Sequence, residues 1–489
     1  MSDLSYNVMA PPSAVATASV VPLPSSMTSV LWRGLVSLAR STVITALRSG
    51  IVKGQIDIVE QNGTTTSFGL STESKGQSRH GQIIVHDDTF WVRVFTWYDI
   101  GFAEAYLAGD FSSPNLKEVL NIYVDNFRLG SLGGLSTIAY RFNSVIETIT
   151  LRFSHSLTKA VANVAGYDAS NELYQAFLST EMQYSCPIWG EEEGGVRGDL
   201  EGLRRPGDLE SAQRRKIEYI LRKARLRPGD RLLEIGSGWG GVAIAAGRMG
   251  CTVDTITLSV EQRALALERV REAGLEGQVR VHLMDYRKMP AEFEKAFDAC
   301  ISIEMLEAVG AEYMPTYIKQ IDWALKDDRA AVVLSATTYP ECSYSRLQGN
   351  DFVRKYHWPN TIIPSATSLS VACNETLKGR FSLETVEDFG SHYPRCLREW
   401  GRRLEENWSP KLVASLQERY PSLKEEHNMQ ILRRRWRYMY LYMEVAYSRA
   451  WLSLGTWTFV RPVSALFLCC ERNGADELRR GIRRSGARE

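Results

Sequence analysis

Several features that would assign a chain quickly are scarce in these 489 residues. The formal net charge is only +1, so the chain lacks the basic excess that marks a dedicated nucleic-acid-binding protein. Its eight cysteines form no CxxC pair and do not cluster with the seven histidines, which leaves no readable zinc site. A chain long enough to bury a full core has no need of a disulfide framework. We therefore expect a reduced, cytoplasmic protein that binds neither nucleic acid nor metal.

Long apolar runs are scarce as well. No segment provides the roughly 20 apolar residues that a membrane-spanning helix needs. The nearest one, AWLSLGTWTFVRPVSALFLCC, is interrupted by Arg461-Pro462 and predicts a strand followed by a turn. Residues 1–30 contain no lysine or arginine, and their prolines interrupt any apolar core, so they do not fit a secretory signal. We interpret them as a disordered leader.

Positive charge is concentrated in two places. The stretch RRRWRY at 433–438 interleaves arginines with aromatic residues, and the tail at 471–489 is rich in arginine. Both fit a solvated helix face and a frayed terminus. They also fit peripheral contact with an anionic membrane surface, because basic residues beside aromatic ones suit the headgroup region. The adjacent pair Cys469-Cys470 is either lipidated or buried.

Residues 31–150 predict a small mixed α/β accessory domain. LWRGLVSLARSTVITALRSG has apolar residues near helical spacing, and GQIDIVEQNGTTTSFG alternates around Asn62-Gly63, a strong hairpin signal. GQIIVHDDTFWVRVFT predicts a further strand, and a helical stretch follows from Asp99 through Asn126. The linker LGSLGGLSTI, rich in glycine and serine, separates this domain from the next.

Residues 160–470 predict the larger domain. Strand-like runs such as DRLLEIGSG, CTVDTITLS, QVRVHLMDY, FDACISIEML and AAVVLSATTY alternate with helical patterns. This alternation favours an α/β fold, in which helices wrap a parallel sheet.

In this domain, LLEIGSGWGGVAIAA joins a buried strand, a glycine turn and the start of a helix. Gly236, Gly238 and Gly241 satisfy GxGxxG, which alone indicates little. Glu234 precedes the turn, where a carboxylate can hold an amine, and Asp285 follows a third strand, where it can accept from an adenine amino group. No acid ends the strand TVDTITLS, where a nicotinamide enzyme keeps its ribose-binding carboxylate. The pattern favours S-adenosylmethionine (SAM) over a dinucleotide or a structural turn.

Eight ordered segments resemble the cyclopropane fatty acid synthase family, which includes the mycolic acid cyclopropane synthases. The resemblance implies a Rossmann-like, SAM-dependent methyltransferase domain preceded by a smaller domain. It further implies one-carbon transfer onto the double bond of an unsaturated acyl chain in a membrane phospholipid, with a homodimer as one expected assembly. The segments are GYDASNELYQAFLSTEMQYSCPIW, LLEIGSGWGG, TLSVEQ, DYR, FDACISIEMLEAVG, DFVRKYHWP, FGSHYPRCLREW and YLYMEVAYSRAWLSLGTWTFVRP, which span residues 165–462.

The resemblance also implies site residues. Attack of an alkene on the SAM methyl group leaves a carbocation, which must be shielded from water, and a base must then remove a proton so that the ring closes. In the family a bound bicarbonate ion is that base, and its catalytic contacts fall here on Cys186, Glu307, Tyr393, Ser335 and Thr337. The contacts to SAM fall on Tyr184, Ser185, Glu234, Gly236, Gly238, Gly240, Thr257, Leu258, Gln262, Asp285, Tyr286 and Ile303.

The sequence departs from the bacterial family pattern at several positions. Ser335 stands where many bacterial members have histidine, Gly166 replaces the histidine of HYD, and Ala308 replaces that of EHVG. HWPN at 357–360 stands for FPGG. These changes bear on the ion site more than on SAM binding. A methylated or methylene-bearing chain is the expected product if the proton leaves from elsewhere or the cation is reduced.

Each candidate also has a structural interpretation. Cys186 fits a core cysteine, Glu307 a capping acid, Tyr393 a packed ring, and Asp285 the cap of the following turn. A nucleophilic Cys186 is disfavoured because methyl transfer from SAM needs no covalent enzyme intermediate. Two other functions stay open. One is a C-methyltransferase acting on another unsaturated lipid, a sterol or a specialised metabolite, and the other is a catalytically inactive lipid-surface scaffold.

Overall fold

The computed structural model describes residues 29–69, 79–128 and 170–461. The predicted leader up to residue 28, the linker, Gly166, the arginine-rich tail and Cys469-Cys470 lie outside the described residues. Two units alternate along the chain. The described parts of the first unit fall within Met1–Leu178, Ser345–Thr361 and Tyr393–Trp451, and those of the second within Ser179–Tyr344, Ile362–His392 and Leu452–Glu489.

The first unit contains a four-stranded sheet. β1 (Gln55–Val59) and β2 (Thr65–Gly69) are antiparallel and flank the Asn62-Gly63 turn, which confirms the predicted hairpin. β3 (His80–Val85) pairs in parallel with β1, and the short β4 (Phe111–Ser112) pairs antiparallel with β3. The strand order is therefore β2-β1-β3-β4.

Two boundaries in this unit differ from the prediction. β3 ends before the aromatic stretch TFWVRVFT, which instead opens the helix Thr89–Ala108. The predicted helix from Asp99 through Asn126 is two helices, the second being Leu116–Arg128. The interruption has a physical cause: Gly109 adopts a left-handed conformation with φ 86°, and its N–H bonds back to helix carbonyls and ends the first helix.

The helix Ser29–Gly50 confirms the predicted N-terminal helix, and it begins two residues inside the predicted leader. Its segment Val30–Gly50 is long and apolar enough to cross a membrane, so the expectation that no segment qualifies is wrong. Its valine, leucine and isoleucine residues outweigh the few arginines, and no acidic residue interrupts the helix. Signal sequences and core helices of soluble proteins meet the same criterion, so this helix alone assigns no membrane span.

The remaining helices of the first unit lie in the second half of the chain, apart from one short helix. In the longest of them Trp436 and Tyr438 are buried, and Arg433 pairs with Glu405. The aromatic half of the RRRWRY stretch thus packs inside its own unit, and membrane contact stays a prediction. These helices are Asn171–Gln175, Phe352–Tyr356, Tyr393–Glu406, Pro410–Arg419 and Glu426–Ser448.

The second unit is built on a seven-stranded sheet of β5 (Arg231–Ile235), β6 (Thr252–Thr257), β7 (Val279–Leu283), β8 (Ala299–Ile303), β9 (Ala331–Thr338), β10 (Ser382–Asp388) and β11 (Ser453–Val460). The order is β10-β11-β9-β8-β5-β6-β7. The strands from β5 to β9 are parallel, whereas β11 runs antiparallel between β9 and β10. The predicted α/β fold is confirmed, as is the strand predicted in AWLSLGTWTFV.

Helices cover both faces of this sheet. Successive side chains of a strand point to opposite faces, so Leu232 of β5 packs in one apolar cluster and Leu233 in the other. Parallel strands place their carboxyl ends at one edge, which is where ligands bind in open α/β sheets. The helices of the unit are Asp208–Lys223, Gly241–Arg248, Val260–Glu272, Met314–Ala324 and Ala366–Leu377.

Candidate active site

The glycine turn leaves the carboxyl end of β5. Gly236, Gly238 and Gly240 all have positive φ, of 100°, 48° and 83°, which side chains other than glycine rarely adopt. The next glycine, Gly241, is needed for close packing, because a Cβ at this position would lie 2.5 Å from the side-chain amide nitrogen of Gln183. The turn therefore places backbone groups that no side chain covers at the carboxyl ends of the strands.

Glu234 lies one residue before the end of β5, with its carboxyl group buried. The hydroxyl of Thr255 donates to it at 2.6 Å, and the hydroxyl of Ser237 lies 2.8 Å from that of Thr255. Burial raises the pKa of Glu234 to about 8, while the hydrogen bond from Thr255 and the positive charge of Lys216 oppose that rise. Near neutral pH the carboxyl group is therefore largely protonated, and binding of a cation beside it would favour the ionised form.

The end of β6 presents Thr257 and Leu258. The Thr257 hydroxyl donates to the amide oxygen of Gln262 at 3.0 Å, so the amide N–H groups of Gln262 are what it can offer to a ligand. Ser259 caps the helix Val260–Glu272 by accepting from the Gln262 backbone at 3.1 Å. Leu258 is 39% exposed, which leaves an apolar surface beside these polar groups.

Asp285 and Tyr286 follow β7. Asp285 accepts from the backbone N–H of Arg287 at 2.9 Å and pairs with its guanidinium, so it caps the turn as its structural interpretation holds. An adenine contact from Asp285 stays a prediction. Burial raises the pKa of Tyr286 to about 12, and its ring stands edge-on to Tyr317 at 4.9 Å between centroids.

The segment QYSC at 183–186 is fixed by a lysine that the sequence did not single out. The ammonium of Lys216 donates to the Ser185 hydroxyl and to the Gln183 amide oxygen, each at 2.7 Å. Lys216 is only 4% exposed, and Tyr184 is half-buried. The signal for Lys216 was weak, since it lies among exposed charges in the helix SAQRRKIEYILRKARL.

Cys186 is tied to the end of β8. Its backbone N–H donates to the carboxylate of Glu304 at 2.8 Å, and the Glu304 N–H donates to the carbonyl of Ser335 at 2.8 Å. Ile303 pairs with Ser335 in the β8–β9 register. Glu304 is a second residue that sequence reasoning missed, although it lies within the predicted strand-like run FDACISIEML and directly follows the observed β8.

Glu307 lies in the short turn after β8. One carboxyl oxygen accepts from the backbone N–H of Thr337 at 2.6 Å. The other, Oε2, is buried and has no hydrogen-bond partner among the described residues. Burial and the nearby charge of Glu304 raise the pKa of Glu307 to about 7, against hydrogen bonds from Thr337 that lower it.

The five predicted catalytic residues do not all fall in one unit. Cys186, Glu307, Ser335 and Thr337 lie around the ends of β8 and β9, with the Ser335 hydroxyl 3.3 Å from that of Thr456. Tyr393 belongs to the first unit, where its ring stacks on Tyr447 at 4.2 Å. In the part of the chain that the structure describes, no group of histidine, cysteine and acidic residues could hold a metal ion.

Comparison with known sequences gives a consistent result. A sequence model described as mycolic acid cyclopropane synthetase matches residues 155–427, more than half of the chain. The tuberculostearic acid methyltransferase UfaA1 of Mycobacterium tuberculosis is 29% identical over 373 residues, which cover 74% of this chain and 79% of the relative. The cyclopropane-fatty-acyl-phospholipid synthase of Escherichia coli K12 is 28% identical over 351 residues, 70% of this chain and 81% of the relative.

Solved structures share the fold. The cyclopropane synthase MmaA2 from Mycobacterium tuberculosis has a TM-score of 0.50 at 21% identity, covering 61% of this chain and 98% of that one. Coclaurine N-methyltransferase bound to N-methylheliamine and SAH has a TM-score of 0.55 at 17% identity, covering 74% of this chain and 99% of that one. At these identities the likeness establishes a common Rossmann-like fold.

Proposed function

Because the chain belongs to the mycolic acid cyclopropane synthetase family, we propose that it transfers a one-carbon unit from SAM to the double bond of an unsaturated acyl chain in a phospholipid and closes a cyclopropane ring. Membership confirms the predicted family and enzyme class, a SAM-dependent methyltransferase, and the likeness to solved structures confirms the Rossmann-like fold. The phospholipid substrate and the cyclopropane product are the proposed part.

SAM binding is supported by the groups that converge on the strand ends. The helix Gly241–Arg248 begins directly after the glycine turn, and its N-terminus favours the carboxylate of the methionine end. Glu234 lies near the end of β5, two residues before Gly236. Its buried carboxyl group suits the amino group of the methionine end of SAM. Gln262 and Asp285 follow the next strands, in the order expected for the ribose and the adenine.

Ring closure requires a proton acceptor beside the new carbocation. The alkene forms a bond to the methyl carbon as the S–C bond breaks, and a C–H bond of the transferred methyl then supplies the electrons for the second ring bond. The observation that carries the proposal is the unpartnered Oε2 of Glu307. A buried carboxyl oxygen without a hydrogen bond costs stability, and a bound ligand or a proton at this oxygen would offset that cost.

A bicarbonate ion fits these residues. Oε2 of Glu307 would accept from its hydroxyl group, and the neighbouring Cys186, Ser335 and Thr337 supply the thiol and hydroxyl groups around it. When bound, the ion supplies an oxygen base for the methyl proton. Glu307 holds and polarises that base, and the apolar residues beside it, Met305 and Leu306, exclude water. A role for Tyr393 stays a prediction of the family resemblance.

A C-methyltransferase is the alternative that a specific observation favours. No histidine occupies position 335 or 308, and the Ser335 hydroxyl lies against Thr456, so the ion has fewer donors than the family pattern provides. A cation that is reduced instead of deprotonated leaves a methyl branch. The relative UfaA1, named a tuberculostearic acid methyltransferase, makes this product class worth testing. The inactive scaffold is disfavoured, since a scaffold gains nothing from burying Glu307.

Methyl transfer to defined vesicles tests the proposal. Purified protein is incubated with SAM carrying a radiolabelled methyl group and with vesicles of an unsaturated phospholipid, and the label in the lipid is counted. Vesicles of the saturated phospholipid with the same headgroup are the matched control. We expect label in the unsaturated lipid alone. Binding of SAM without transfer to the unsaturated phospholipid would contradict the function and leave a methyltransferase that acts on another substrate, whereas failure to bind SAM would support the scaffold.

A further inference from the structure

Glu304 occupies a backbone conformation that suits glycine. It directly follows β8 and has a φ of 49°, in the left-handed region that side chains other than glycine and asparagine adopt at a cost. A glutamate at such a position needs a compensating interaction. The side chain of Glu304 provides one, because it reaches a segment 118 residues earlier in the chain.

That contact fixes the backbone of Cys186. The Glu304 carboxylate accepts from the Cys186 N–H at 2.8 Å, while its own N–H donates to the Ser335 carbonyl at 2.8 Å. One residue therefore joins the QYSC segment to the ends of β8 and β9. Cys186, Glu307 and Thr337 keep their relative positions through this residue and the Thr337–Glu307 hydrogen bond.

Glu304 also places a carboxylate three residues before Glu307, in the turn that follows β8. Its charge is the largest contribution from any charged neighbour to the raised pKa of Glu307. From β9 the group facing Glu307 is Thr337, which donates hydrogen bonds to it and opposes that rise. A carboxyl group that keeps its affinity for a proton near neutral pH can hold and release the proton of a ring-closure base.

We propose that Glu304 is a positioning residue with two separable effects: its carboxylate oxygen holds the Cys186 backbone against the ends of β8 and β9, and its negative charge stands three residues before Glu307 in the turn that follows β8. The inference rests on the proposed function for the role of Glu307. Beyond the proposed function, it assigns a role to Glu304. Substitutions can remove the charge of this residue with or without its hydrogen bond.

Three substitutions separate the two effects. Glu304→Gln keeps an oxygen that accepts from Cys186 and removes the charge. Glu304→Asn also removes the charge, but it is one methylene too short for the contact and tolerates the left-handed conformation, so the fold survives. Glu341→Gln is the matched control, because Glu341 also accepts from a backbone N–H, that of Thr367 at 2.8 Å, but stands on an exposed part of the same unit.

The pH dependence of kcat/KM is the readout for the charge. The wild type loses activity as the pH falls below about 7, because Glu307 becomes protonated. Removing the charge lowers the pKa of Glu307, so the acid limb of Glu304→Gln moves to lower pH and its activity at pH 6, relative to its own plateau, rises above that of the wild type. The plateau kcat falls a few-fold in this variant, because Glu307 becomes a weaker base, and falls at least about tenfold in Glu304→Asn, which also loses the contact to Cys186.

The outcomes are decisive for each effect. An acid limb of Glu304→Gln that coincides with those of the wild type and Glu341→Gln overturns the charge effect, and a wild-type plateau in Glu304→Asn overturns the positioning effect. Difference infrared titration of the Glu307 carboxyl band, assigned with Glu307→Gln, measures the same pKa shift without any substrate. Failure of methyl transfer in the wild type would therefore defeat the proposed function while the titration still decides the effect of Glu304.

Discussion

The ammonium nitrogen of Lys216 lies 2.7 Å from the hydroxyl oxygen of Ser185, and both side chains are buried. An ammonium group only donates, so it occupies a lone pair of the serine oxygen and leaves the serine O–H to find another acceptor. In the proposed SAM site, the carboxylate of the methionine end is the acceptor that Ser185 would meet.

Substitution of Lys216 tests this relationship. Lys216→Met keeps the length of the side chain and removes the donor, so Ser185 loses its orientation and the charge facing Glu234 disappears. We expect the Kd for SAM, measured by isothermal titration calorimetry, to rise about tenfold, or about 1.4 kcal/mol. Lys223→Met is the control, since Lys223 lies two turns further along the same helix in a half-buried pair with Glu387. Equal Kd values for both variants would remove Lys216 from the site.

The carboxyl group of Glu307 is expected to be essential for turnover and dispensable for SAM binding. Glu307→Gln keeps an acceptor for the Thr337 N–H but cannot take up a proton, so kcat should fall at least about 100-fold. Calorimetry should give a Kd for SAM within about twofold of the wild type. The substitution Glu341→Gln serves again as the control, with unchanged kcat. Full activity of Glu307→Gln would refute its assignment.

Because Glu234 is buried, we expect the unfolding free energy to depend on pH. Its pKa is raised from 4.5 in a solvated glutamate to about 8. The unfolded chain ionises this group first, so its contribution to folding stability is complete below pH 4.5 and is lost as the pH rises toward 8. We expect the wild type to lose on the order of 3 kcal/mol of unfolding free energy between pH 5 and pH 8, measured by urea unfolding. Glu234→Gln should not show this loss. Parallel pH profiles for variant and wild type would contradict this account.

The glycine at position 241 is expected to be required for packing. A Cβ there would lie 2.5 Å from the Gln183 amide nitrogen and 2.6 Å from the Glu181 carbonyl, so Gly241→Ala must displace the segment before Cys186. We expect a loss of about 1–3 kcal/mol in unfolding free energy. Gly277→Ala, where nothing lies within 4 Å of the added carbon, should be neutral. A neutral Gly241→Ala would show that the segment is loosely held.

The features that the sequence predicted well are local or periodic. Asn62-Gly63 specifies its hairpin by turn chemistry alone, and the alternation of apolar strands with helices predicts the parallel sheet. Boundaries failed where one residue decides the backbone, as at Gly109, whose left-handed conformation splits a predicted helix. The apolar character of Val30–Gly50 was missed because only strictly apolar side chains were counted.

The sequence located several candidate site residues in the fold because they come at or just after the strand ends, while their contacts to SAM stay a prediction. Glu234, Thr257 and Asp285 lie at successive strand ends, which pattern alone locates. Lys216 and Glu304 escaped because their partners, Ser185 and Cys186, are far away in sequence and only the folded chain brings them together. For Asp285 the structure shows the capping contact that the sequence could only offer as an alternative.

The fate of the transferred hydrogens tests the central claim most directly. Unsaturated phospholipid vesicles are treated with the protein and SAM whose methyl group carries three deuterium atoms, and the lipid product is analysed by mass spectrometry and proton NMR. The account predicts a product without olefinic protons that retains two deuterium atoms in a ring methylene, since one leaves with the base. A product that retains all three deuterium atoms in a methyl branch would contradict ring closure and establish the C-methyltransferase instead.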